Sequence, residues 1–212
     1  MKVNEIYYSI QGESSHAGRP CAIVRLTGCD LRCAWCDTAY AFHEGREVTV
    51  AQVLDEISAF PSKLVLVTGG EPMLQPAVHE LFERLLARGH EVCMETGGHI
   101  SLRDVDLRVH KIMDLKCPSS RMSEHNHFEN IRYLTRNDEV KFVVGDRGDF
   151  DWACARIREF GLPSLVGSVL ISPVFGRLPY DVLAGWVLGC GLDVRLQLQL
   201  HRLVWPYAVR GV

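Results

Sequence analysis

Seven short apolar runs, rich in β-branched residues, alternate along this chain with amphipathic segments, and that alternation constrains the fold more than any other feature. The runs are Cys21–Thr27, Lys63–Thr68, Glu91–Glu95, Val109–Asp114, Glu139–Val144, Ser168–Ser172 and Asp193–Gln199. Most are nearly continuous in apolar character, as expected of parallel strands covered on both faces. Helical patterns separate many of them. Thr49–Phe60 opens with Thr49 and Gln52 in capping-box spacing and carries Val50, Val53, Leu54, Ile57 and Phe60 on one stripe. A second helix is predicted from Pro76 to Arg88 with Gly89 as its stop, a third capped by Asp149 and ending near Phe160, and a fourth over Pro179–Cys190.

Repeated strand–helix–strand units imply right-handed crossovers and a parallel sheet. About six to seven strands in 212 residues fall short of the eight strands and roughly 250 residues of a closed βα barrel. The pattern predicts an open, partial βα barrel, mainly parallel, in one domain covering residues 1–212. Ligands bind such folds at the C-terminal ends of the strands, and the polar motifs of this chain all fall there. The cysteine loop follows the first run, Thr68-Gly69-Gly70-Glu71 the second, Glu95-Thr96-Gly97-Gly98 the third and Asp114-Leu115-Lys116 the fourth, while Ser172 ends the sixth.

A net charge of −3 gives no basic surplus for nucleic acid. No apolar run approaches the ~18 residues of a membrane span, and no secretory h-region is visible near Met1. A cytoplasmic protein is expected, with neither nucleic acid nor membrane as partner. In a reducing compartment eight cysteines point to metal binding or buried thiols rather than disulfides.

Cys29, Cys33 and Cys36 crowd into eight residues. Thiolates are soft, strongly donating ligands that suit iron–sulfur clusters and zinc. Three of them around a four-iron cubane leave one iron open, which catalysis requires and electron transfer does not. The competing arrangement is a closed zinc site of the three cysteines plus His43. Val67-Thr68-Gly69-Gly70-Glu71-Pro72 follows a buried run; its glycines let backbone approach a ligand closely. Neither a G-x-G-x-x-G nor a P-loop sequence is present, which argues against nicotinamide and nucleoside triphosphates.

The C-x3-C-x2-C spacing, with Trp35 before its last cysteine and the Gly-Gly-Glu-Pro turn about forty residues on, resembles the radical S-adenosylmethionine (SAM) superfamily. That resemblance implies a [4Fe–4S] cluster on Cys29, Cys33 and Cys36, SAM chelated at the open iron, and an external one-electron donor of flavodoxin or ferredoxin type. It places Gly70 against SAM, with Glu95, Asp114, Leu115, Lys116 and Ser172 as further SAM-binding positions.

Ile10-Gln11-Gly12-Glu13, Arg25, Cys36-Asp37-Thr38, the Thr-Gly-Gly-Glu-Pro and Met-Glu-Thr-Gly-Gly segments and Gln199-Leu200-His201 are similar to the 7-carboxy-7-deazaguanine synthase family over nearly the whole chain. The family implies a homodimer that converts 6-carboxy-5,6,7,8-tetrahydropterin to 7-carboxy-7-deazaguanine with loss of ammonia, on the route to queuosine. Carried onto this sequence, Glu13 accepts from the pterin N–H edge and Arg25 takes the substrate carboxylate. Ile10, Gln11, Gly12, Thr68 and His201 complete the frame, and Glu13, Arg25 and His201 form the catalytic set. Thr38 binds Mg²⁺ beside the substrate. The apolar, aromatic tail has two readings of its own: it packs over the barrel mouth with the Val212 carboxylate reaching the substrate, or it lines a dimer interface. Two alternatives stay open: a glycyl-radical-activating enzyme, which shares the loop spacing but acts on a protein, and a zinc-stabilised interaction module. The polar segment Cys117–His127 has no assigned part.

Overall fold

The structure is a computed structural model that describes residues 1–208 and 210–212. Among the described residues nine strands form a single sheet: β1 (Lys2–Ile10), β2 (Pro20–Leu26), β3 (Arg46–Glu47), β4 (Leu64–Gly69), β5 (Glu91–Thr96), β6 (His110–Asp114), β7 (Glu139–Val144), β8 (Ser168–Pro173) and β9 (Arg195–Leu196). Their order is β3-β1-β2-β4-β5-β6-β7-β8-β9. From β2 to β9 every neighbouring pair is parallel, whereas β1 runs antiparallel to both β2 and β3. The edges β3 and β9 do not pair with each other, so the barrel is open.

All seven expected strands are present, the last shortened to Arg195–Leu196. Two were not anticipated. The sequence of β1, KVNEIYYSI, is half-buried along most of its length and lacks the continuous apolar run of a central strand; β3 is only two residues long. The helices are α1 (Val50–Ile57), α2 (Ala77–Ala87), α3 (Arg147–Phe160), α4 (Leu162–Leu165), α5 (Tyr180–Gly189) and α6 (Leu200–Val204). Thr49 caps α1 through the full capping box. The predicted cap of α3 is corrected: Asp146 is the N-cap, accepting from the Asp149 N–H. Asp149 lies inside the first turn, and its carboxylate accepts from the Ser119 N–H (2.9 Å) and the Gly145 N–H (2.8 Å) instead.

The main core fills the space between the sheet's outer face and the helices, with Val24, Val67, Met94, Met113 and Phe142 opposite Leu54, Phe82, Leu85 and Ile157. A smaller cluster of Cys21, Ile23, Leu64, Leu66, Cys93 and Ile112 fills the barrel interior below its mouth. Above that plug the inward-facing residues turn polar: Arg25, Thr68, Glu95, Asp114, Lys141 and Ser172. Strand alternation thus delivers every second side chain of each strand to one chamber. The segment after β9 closes the open side, with the Leu200 N–H donating to Gly12 O (2.8 Å) and Tyr7 Oη to Val212 O (3.1 Å). Among the described residues no helix is long and apolar enough to cross a membrane.

Candidate active site

The chamber is a cavity of about 350 Å³ at the C-terminal ends of the strands. Its wall includes Cys29, Cys33 and Cys36, so the three thiols reach the same space as the inward-facing strand residues. The loop that carries them is pinned from three sides. Gly28, at φ 101°, turns the chain out of β2, and its carbonyl accepts from the Glu71 N–H (2.7 Å). The Ala34 N–H donates to Ser120 O (3.0 Å), and the Arg32 N–H approaches Met122 Sδ (3.3 Å). The polar segment Cys117–His127 therefore buttresses the cysteine loop. On the third side, His99 Nε2 meets Asp30 Oδ1 at 2.6 Å.

Gly70 lies against this loop so closely that a Cβ on it would overlap the Gly28 carbonyl. Glu71, the next residue, is buried; its carboxylate accepts from the Met73 and Gly97 N–H groups (3.0 and 2.8 Å) and from Thr96 Oγ1 (2.8 Å). It binds the Gly-Gly-Glu-Pro turn to the end of β5, a structural duty that the motif alone does not reveal.

At the opposite side of the chamber Glu13 meets Lys141 of β7, Oε2 to Nζ, at 2.7 Å. Its other oxygen accepts from Gln199 Nε2 at 2.8 Å. Burial opposes ionisation of Glu13, but the Lys141 ammonium and these hydrogen bonds outweigh it and hold the carboxyl well below its usual range. Glu95, which accepts from Thr68 Oγ1 (3.0 Å), is moved upward by burial despite the same ammonium. Lys116 pairs with Asp114 at 3.0 Å. Lys141 and Gln199 were absent from the predicted site. The one signal for Lys141 was a cation inside the otherwise apolar stretch of β7, VKFVV.

Three predicted residues differ in detail. Arg25 is not a free fork: its Nε donates to Glu5 Oε1 (2.8 Å) and its Nη2 to Tyr7 Oη (2.9 Å). The Leu115 side chain is buried in the core and lines no part of the chamber. The Gly12 carbonyl is occupied by Leu200, and a Cβ on Gly12 would overlap the His201 ring. The remaining predicted positions, Ile10, Gln11, Thr38, Ser172, His201 and Val212 among them, all line the chamber. Gln11 Nε2, Asp114 Oδ1 and Ser172 Oγ are buried without a hydrogen-bond partner. Buried polar atoms are normally satisfied by protein or by water, so these three leave bonding capacity in the chamber for water or a ligand.

Residues 23–175 match the profile of the radical SAM superfamily. The chain is 44% identical, over the full length of both proteins, to the 7-carboxy-7-deazaguanine synthase of Koribacter versatilis. It is also 44% identical to that of Chlorobaculum tepidum, over 100% of this chain and 97% of the relative. The chain belongs to the radical SAM superfamily and, within it, to the 7-carboxy-7-deazaguanine synthases. The fold agrees: the crystal structure of QueE from Escherichia coli superposes with a TM-score of 0.78 at 20% identity, covering 93% of each chain. The full-length identity to these synthases resolves the choice left open by the loop spacing against an activating enzyme for a glycyl radical.

A radical SAM enzyme carries a [4Fe–4S] cluster and SAM, and the residues present fit them. The three thiols share one loop and one chamber, whereas His43, the fourth ligand of the zinc alternative, is exposed and lines no part of it. Burial pushes the Cys29 thiol up to about 11 and the Cys33 thiol upward as well, so iron binding has to displace protons there. All eight cysteines are unpaired.

Proposed function

We propose that this chain is a radical SAM lyase that converts 6-carboxy-5,6,7,8-tetrahydropterin to 7-carboxy-7-deazaguanine with loss of ammonia, feeding queuosine or another 7-deazapurine. The observation that carries the reading is the chamber itself. Thiols, glycine turn and a buried, hydrogen-bonded carboxylate clamp face one another across about 350 Å³, a volume suited to a small planar substrate. When bound, the cluster and SAM supply a 5′-deoxyadenosyl radical, the part of the chemistry no side chain can provide.

The chain's own residues bind, orient and enclose. Cys29, Cys33 and Cys36 hold the cluster, and Gly70 brings backbone close to SAM, with Glu95, Asp114, Lys116 and Ser172 on the cofactor side. For Leu115 only the backbone is available to SAM. Glu13 accepts from the amino-pyrimidinone edge of the pterin, framed by Ile10, Gln11, Gly12, Thr68 and His201. Arg25 keeps Nη1 for the substrate carboxylate while Glu5 and Tyr7 fix its plane. Thr38, which lines the chamber, shares a Mg²⁺ ion with that carboxylate; a hard cation that keeps most of its waters needs few protein oxygens. Val212 closes the mouth from the tail, beside Tyr7.

An external one-electron donor of the flavodoxin or ferredoxin type completes the system. Eight unpaired thiols support a reducing, cytoplasmic setting. Apolar residues left exposed on α5 and the tail, Leu188, Val204 and Tyr207 among them, support a homodimer. Residues 1–212 act as one catalytic domain. Cys33→Ala tests the assignment of the loop: the folded variant is to form no 5′-deoxyadenosine when reduced with SAM, and wild-type turnover by it overturns the reading.

A further inference from the structure

Of the charged groups that the strands turn into the chamber, one belongs to none of the motifs: Lys141, at mid-strand in β7. Its neighbours Val140 and Phe142 face the helices and are fully buried, so alternation turns Lys141 inward. Its side chain is 10% exposed, with Nζ 2.7 Å from Glu13 Oε2 and 4.0 Å from Asp114 Oδ2. Charged groups face it from each surrounding element: Glu13 from the loop after β1, Glu95 from β5, and Asp114 from β6 with Lys116 behind it. Arg25 of β2 and His201 of α6 stand across the cavity. We propose that Lys141 is a positioning residue that fixes the Glu13 carboxylate as the acceptor for the N–H edge of the pterin.

A carboxylate has about four lone-pair sites. Lys141 takes one on Oε2 and Gln199 one on Oε1, which leaves one on each oxygen. That pair matches two adjacent N–H donors. Without the ammonium, burial, which favours the neutral form of Glu13, is opposed only by the Gln199 hydrogen bond and by His201; the neutral form presents a donor where the ligand also presents donors. Lys141 therefore acts through Glu13, across 128 residues of sequence, and the inference rests on the pterin reading of the site.

The test uses the full chain, reconstituted anaerobically, with 6-carboxypterin as an unreactive fluorescent probe. Binding is measured for wild type, Lys141→Met, Lys141→Arg, Glu13→Gln and the Met/Gln double variant, from mildly acid to mildly alkaline pH. Lys141→Met is expected to weaken binding roughly 10- to 100-fold, the size of a hydrogen bond to a charged group. Its loss is to deepen as pH falls and Glu13 takes up a proton, while wild type stays flat over the same range. Lys141→Arg recovers most of the affinity, and the double variant binds no more weakly than Glu13→Gln, because two residues acting as one unit do not add. If Lys141→Met fails to fold, Lys141→Gln replaces it in the same cycle. Lys141→Met binding like wild type, or a pH-independent loss that adds fully to that of Glu13→Gln, overturns the inference alone; the additive result assigns Lys141 to direct substrate contact. A wild-type chain that binds no pterin overturns the pterin reading and this inference together.

Discussion

Two buried lysine–carboxylate pairs lie on opposite faces of neighbouring strands, and only one of them is finished. Lys111 and Asp138, on the helix-covered face, are wholly buried, with Nζ and Oδ1 3.0 Å apart. Asp138 is saturated: Oδ1 also accepts the Lys111 N–H (2.8 Å), while Oδ2 accepts from the Thr135 N–H (2.6 Å) and Thr135 Oγ1 (2.9 Å). Around Lys141 and Glu13, on the inward face, Gln11 Nε2, Asp114 Oδ1 and Ser172 Oγ have no partner. The first pair ties the start of β7 to β6. The second stands in a polar set that the protein alone leaves incomplete. Charge is alike in the two; the second pair differs in facing a cavity and in the open valence of the polar atoms around it.

Breaking the finished pair gives the largest effect on stability. Asp138→Ala strands a buried ammonium and is expected to cost about 3–5 kcal/mol, read from denaturant titration, with pterin affinity of the folded fraction unchanged. The unfinished pair responds to acid. The Glu13 carboxyl sits below its usual range in the folded chain. Its stabilising contribution is therefore complete above the unfolded value of ~4.3 and is lost as pH falls through the lower folded value. Acid unfolding of wild type minus that of Glu13→Gln should isolate a term on the order of 2 kcal/mol that vanishes over that interval. Gly70→Ala presses a methyl group onto the Gly28 carbonyl and is expected to cost about 1–3 kcal/mol, with a fall in iron retained after reconstitution as the sharper readout. Tyr7→Phe, which removes one bond each to Arg25 and Val212, should be worth about 1 kcal/mol and weaken pterin binding severalfold.

The same contrast explains what could be read from the sequence. Central parallel strands are covered on both faces, so β4 as LVLVTG and β8 as SVLISP declare themselves by composition. The antiparallel β1, with KVNEIYYSI partly exposed at the barrel's open side, carries no such signal, and a two-residue β3 carries none at all. The cysteine loop and the glycine turn were legible because short local spacing encodes them. The parts played by Lys141, Tyr7 and Gln199 were not, although Gln199 stands in a legible motif, because they lie in contacts from distant parts of the chain, such as that between Glu13 and Gln199, 186 residues apart. Arg25 was legible as a functional cation, yet its pairing with Glu5 was hidden because β1 was not recognised as its neighbouring strand. Asp149 was mistaken for a cap because Asp146, three residues earlier, offers the same side chain.

The most direct test is turnover. Reconstituted chain, reduced anaerobically with SAM, Mg²⁺ and 6-carboxy-5,6,7,8-tetrahydropterin, is expected to release 5′-deoxyadenosine together with a deazapurine absorbance and the mass of 7-carboxy-7-deazaguanine. Formation of 5′-deoxyadenosine with the pterin recovered unchanged would contradict the assignment of the chamber.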